Sequence, residues 1–89
     1  MEPIEVQLDM GLFTFDGHVL ELFLTGSERF HRRILTVTIS RPDKKGTRRV
    51  TLAQVGTQSV LPLDEAELAS LQPIFEALGS AGVQIVTED

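Results

Sequence analysis

Cysteine, tryptophan and tyrosine are all absent from this chain of 89 residues. Without cysteine there is no disulfide framework, no thiol nucleophile and no thiolate metal site, an absence that points to a reducing compartment. Without Trp or Tyr, five Phe are the only aromatics, and a stacking platform for single-stranded nucleic acid is not expected. Long apolar runs are missing too, since nothing approaches the ~18 residues of a membrane span. The start, Met1-Glu2-Pro3-Ile4-Glu5, has neither the basic residues nor the apolar stretch of a signal peptide. The expectation is a cytoplasmic protein with no transmembrane segment, and its length allows one domain, residues 1–89. A chain this short buries only roughly 60 to 65 per cent of its unfolded surface, so it needs a well-filled core or an oligomeric partner. With 42% hydrophobic residues, such a core is available.

Positive charge is confined to one stretch. All eight cations fall between Arg29 and Arg49, namely Arg29, Arg32, Arg33, Arg41, Lys44, Lys45, Arg48 and Arg49, with Asp43 the single acid among them. The other twelve acids lie outside, and the whole chain carries −5. So polarised a molecule draws phosphate-bearing partners, nucleic acid or anionic lipid, in a salt-dependent way. It also suits an acidic protein partner, and internal neutralisation by acids of neighbouring strands is the plain alternative. The overall acidity argues against a dedicated nucleic-acid binder.

Alternation is clear along most of the chain. Ile4, Val6, Leu8 and Met10 alternate with Glu5, Gln7 and Asp9, the period of a strand with one buried face. After Gly11 the apolar parity changes, which predicts a bulge or sharp corner. Asp16-Gly17 predicts a type I′ hairpin with a two-residue loop, Phe15 facing His18 and Phe13 facing Leu20. Phe13, Phe15, Leu20 and Leu22 then share a face. A second hairpin pairs 32–41 with 47–54 through a four-residue loop, Asp43 to Gly46, so that Leu35, Val37, Ile39, Val50 and Leu52 share a face and Ile39 opposes Val50. Thr36, Thr38, Ser40, Arg49 and Thr51 form the polar outer face. A short strand over 58–61 ends at Pro62.

Leu63-Asp64-Glu65-Ala66-Glu67-Leu68 announces a helix, with Asp64 as cap, Glu67 completing a capping box and Leu63 stapling to Leu68. Leu68, Leu71, Phe75 and Leu78 make one stripe to lie across the sheet. Pro73 predicts a kink or two short helices, Gly79 a stop. Val83 to Val86 reads as a terminal strand, free to pair within the sheet or with another molecule. The fold class expected is α+β: a curled antiparallel sheet or partly open barrel of about six to seven strands, with one C-terminal amphipathic helix packed on it.

Catalytic chemistry is sparse. His18 and His31 are the only histidines; His18 is expected to cover Phe15 at the hairpin end, and His31 to be a surface residue, a pH-sensitive contact or part of an anion site. No serine sits in a nucleophile elbow and no glycine cluster resembles a phosphate loop. Carboxylate pairs such as Glu65 with Glu67 or Asp9 with Asp16 are commonplace in an acidic chain. No catalytic residue, cofactor or metal ligand is expected.

The hairpins 13–24 and 35–54 and the helix from Asp64 resemble the small bacterial domains of the pleckstrin-homology-like superfamily, over residues 13–78. Pro73 and the strand 83–86 depart from that pattern. The resemblance implies a binding or scaffold module, often a protein-interaction one, rather than an enzyme. The reading is therefore a non-enzymatic interaction module, itself a homo-oligomer or part of a larger assembly, with 29–49 as its contact surface. The alternatives are a nucleic-acid-associated protein touching phosphates through the basic hairpin tip 41–49, and a structural homodimer pairing through strand 83–86.

Overall fold

Two runs of alternating residues build two sheets in the computed structural model, which describes residues 2–88. The first sheet is an antiparallel meander of β1 (Ile4–Leu8), β2 (Gly11–Phe15), β3 (Val19–Phe23) and β4 (Ser27–His31). The second holds β5 (Thr36–Ile39), β6 (Arg48–Gln54) and β7 (Thr57–Leu63), joined as antiparallel hairpins. After the helix α1 (Glu65–Ser80), β8 (Gln84–Thr87) returns to lie parallel to β5, giving the order β7-β6-β5-β8. Among the described residues no helix is long and apolar enough to cross a membrane.

The α+β class matches expectation, but eight strands in two sheets replace the expected single curled sheet of six to seven. The strand missing from the sequence pattern is β4, whose Ser-Glu-Arg-Phe-His carries one fully buried apolar residue, Phe30. One inward phenylalanine shows no periodicity, yet it is enough to hold β4 against β3, with Leu20 opposite Phe30. The chain leaves the first sheet through a turn in which the Ile34 amide donates to the His31 carbonyl at 3.1 Å. The expected strand 32–41 is therefore shortened to Thr36–Ile39.

The parity change at Gly11 marks a full reversal rather than a bulge. Leu8 pairs with Gly11, leaving Asp9 and Met10 as the loop of the β1–β2 hairpin. Gly11 has φ 154°, and a Cβ there would run into the Phe23 carbonyl oxygen.

The next hairpin keeps its faces and shifts its register. Phe15 faces Leu20 and Phe13 faces Leu22, two residues along from the expected pairs. An even shift preserves which side each residue faces, so Phe13, Phe15, Leu20 and Leu22 are all buried together. The cause is Asp16: its Oδ1 accepts the amides of His18 and Val19, both at 2.8 Å. A side chain that binds the amides two and three residues on belongs before the loop. Gly17 and His18 thus become its centre, with positive φ at Gly17 alone. Between β5 and β6 the expected register holds, Ile39 against Val50.

Asp64 caps α1 as expected: its Oδ1 accepts the Glu67 amide at 2.7 Å, and Glu67 Oε1 accepts the Asp64 amide at 2.9 Å. Pro73 neither splits the helix nor ends it. Pro73 and Ala69 both face solvent, so the Ala69 carbonyl that lacks a helical donor is open to water. Gly79 also lies inside the helix. The end comes at Ala81, where the Val83 amide donates to the Leu78 carbonyl at 3.0 Å and the Gly82 amide to the Gly79 carbonyl at 3.1 Å, the paired closing bonds of a Schellman motif. The buried stripe is Leu71, Ile74 and Leu78, with Leu68 and Phe75 half-buried beside it. β7 runs through Pro62 to Leu63, because β7 is an edge strand and a missing donor is tolerated there.

Gly11→Ala is expected to lower stability by more than about 1 kcal/mol, since the added Cβ meets backbone in a conformation that L-residues avoid; chemical denaturation measures it. The Asp16 carboxyl is held below its ordinary 3.8 by the Val19 amide first and the His18 amide second. A folded value below the unfolded one means that its stabilisation is complete above pH 3.8 and is lost as the pH falls through the lower folded value. Asp16→Asn should therefore melt lower than the parent at neutral pH, with the gap closing in strong acid.

Candidate partner-binding surface

The β5–β6 hairpin is organised by its own polar side chains. Asp43 Oδ1 accepts the amides of Lys45 at 2.8 Å and Thr47 at 2.9 Å. The Asp43 amide donates to the Thr47 carbonyl at 2.9 Å, and the Gly46 amide to the Asp43 carbonyl at 3.0 Å. Thus the one acid of the basic stretch folds the tip, leaving Lys44 and Lys45 exposed on it. At the base of the tip the Ser40 hydroxyl donates to the Arg41 carbonyl at 3.1 Å and accepts the Arg49 amide at 2.8 Å. Arg41 and Arg49 are both exposed and border a groove with Ser40, Asp43, Thr47, Pro62 and Glu88.

Arg48 points the other way. Strand alternation puts it on the side of Val50 and Leu52, where it is half-buried and lines a depression with Ile39, Glu65, Leu68, Gln72 and Phe75. Five of the eight cations, Arg41, Lys44, Lys45, Arg48 and Arg49, therefore gather at this hairpin.

The other three are elsewhere. Arg29 lies on the outer face of the first sheet, its Nε 3.6 Å from Glu21 Oε2 on the neighbouring strand. Arg32 and Arg33 sit before β5, whereas the hairpin tip follows it, so they lie at opposite ends of that strand. Arg32 Nη1 donates to the Ala81 carbonyl at 3.3 Å, while its Nε is buried without a partner. The last turn of α1 has no basic residue of its own, and Arg32 brings a cation to the negative end of the helix. The fold thus places the eight cations of 29–49 in three groups: the hairpin, the outer face of the first sheet and the link between the sheets. Internal neutralisation is local as well: among the described residues, Arg29–Glu21 is the one ion pair within 4 Å.

His18 stands exposed in the β2–β3 turn, and Leu20 rather than His18 faces Phe15. His31 is exposed opposite Val19, its Nδ1 accepting the Arg33 amide at 3.2 Å. Among the described residues no group of three His, Cys, Asp or Glu is placed to hold a metal. The organising roles of Ser40 and Asp43 escape a count of charges. Asp43, two residues before Lys45, does carry the signature of a side chain that closes its own turn.

No family model matches the chain, and no curated protein sequence matches it.

Arg32→Ala should cost about 1 kcal/mol, from the lost carbonyl contact and helix-end charge. Arg33→Ala, one residue on and exposed, should stay within about 0.5 kcal/mol of the parent. Thermal melts of the two variants side by side check the difference.

Proposed function

We propose that the protein is a non-enzymatic interaction module that receives an acidic protein partner on its β5–β6 hairpin. The observation that carries this reading is the gathering of Arg41, Lys44, Lys45 and Arg49, all exposed, on a hairpin whose only acid is bonded to its own backbone. Cations held on a folded turn lose less conformational freedom on binding than cations on a loose chain. Their field also steers oppositely charged partners from a distance. The succession of antiparallel hairpins and then one amphipathic helix supports the likeness to pleckstrin-homology-like domains, and with it a binding role. Nucleic acid is the second reading, favoured by the four exposed cations but opposed by the net charge of −5 and the lack of Trp and Tyr.

A fluorescence anisotropy titration separates them, using a labelled polyglutamate peptide and a labelled random DNA duplex at about 50 and about 200 millimolar salt. The protein is expected to bind the peptide, and Arg41→Gln, Lys44→Gln, Lys45→Gln and Arg49→Gln together should abolish that binding without lowering the melting temperature. Tight duplex binding that weakens about a hundredfold between the two salts would transfer the assignment to nucleic acid. Binding of neither probe, or equal binding by parent and variant, would refute the hairpin as a contact surface.

A further inference from the structure

The outer edge of β8 carries no strand among the described residues. β8 lies at the rim of the second sheet, with β5 on its inner side. The Glu88 amide donates to the Ile39 carbonyl at 2.8 Å. Backbone groups alternate sides along a strand, so Gln84, Val86 and Glu88 address β5, while Ile85 and Thr87 turn their N–H and C=O groups outward. Side chains alternate too: Val86 stands on the outer face of the sheet beside Thr38 and is 44% exposed.

The four edge strands are not equivalent. β7 carries Pro62 and so lacks one donor. β1 packs against α1. The Arg29 carbonyl of β4 already accepts from Gln54 Nε2 at 2.9 Å. β8 has no proline and no lysine, and its register with β5 is unbroken, so its shortness, four residues, is what guards its edge.

We infer that two copies of this chain associate by antiparallel pairing of β8 with β8, joining their second sheets into one eight-stranded sheet about a two-fold axis at Val86. In that register Ile85 of one copy opposes Thr87 of the other, twice over. Each such pair exchanges two N–H to C=O bonds, so both outward-facing residues of each strand are satisfied. The two Val86 residues meet in the closely spaced position between those pairs, where Cα atoms lie about 4.5 Å apart, covering apolar surface that each monomer exposes. Gln84 falls opposite Glu88, and no like charges are brought face to face. Any other antiparallel register leaves an outward Ile85 or Thr87 without its equivalent on the second copy. Pro62 denies β7 the same role, so a closed pair is favoured over an open-ended stack.

The direction of the backbone groups decides which substitutions test this. A proline at Gln84 would remove a donor aimed at β5 and damage the monomer. Thr87→Pro removes only an outward donor, and Val86→Lys sets two ammonium groups on the axis. Sedimentation velocity of the purified protein across micromolar concentrations should show a dimer. Thr87→Pro and Val86→Lys should each sediment as a monomer with unchanged circular dichroism. Because the chain has no cysteine, Val86→Cys supplies an independent reading: mild oxidation should cross-link it rapidly, the Cα separation falling in the disulfide range. Gln58→Cys on the opposite edge should stay uncoupled. A parent that sediments as a monomer throughout, a dimer that survives both edge variants, or equal cross-linking of Val86→Cys and Gln58→Cys would each overturn the inference.

Discussion

One row of side chains across the first sheet carries the architecture. Ile4, Phe15, Leu20 and Phe30 stand side by side on β1, β2, β3 and β4, and the two phenylalanines are wholly removed from solvent. Each buried phenylalanine contributes roughly 1.5 to 3 kcal/mol, large in a domain whose net stability is on the order of 10 kcal/mol. The second sheet answers with Val37, Val50, Leu52 and Leu63, and α1 adds Leu71, Ile74 and Leu78 to the same apolar cluster. No polar side chain is buried in it. The cations are therefore all displaced to the surface, to hairpins, strand ends and the link between the sheets.

Where the sequence is legible, a short-range rule has little competition. Capping by Asp64 and Glu67 involves groups three residues apart, and the helix starts where those residues place it. Ile39 meets Val50 because the parity of five apolar residues permits few loop lengths. Around Gly17 parity again fixed the faces but could not fix the register, since a shift of two changes every partner and no face. The Asp16 carboxylate decided between the registers through two amides, a preference invisible in the hydrophobic pattern. β4 was not legible at all, because a strand with one inward residue has no period to detect.

Two of the four prolines, Pro62 and Pro73, teach the same lesson about context. Each lacks a donor, and each sits where that donor would have faced water: Pro62 on a sheet edge, Pro73 on the outer side of the helix. Sequence position alone made both look like breaks. The basic stretch is a similar case. Eight cations close together in the chain are spread over two sheets and two loops, because a strand carries successive residues to opposite faces and its two ends far apart. What survives as a surface is the hairpin whose turn is tied together by Asp43 and Ser40.

The contact between Arg32 and Ala81 reaches across 49 positions of sequence. The helix begins with everything it needs in its own first turn, but it ends on a charge borrowed from the link between the two sheets. Its first turn is thus a local property of the chain and its last turn a property of the finished molecule. Fraying of that end breaks the Arg32 contact as well, so the last turn of the helix and the inter-sheet link are coupled through that one bond.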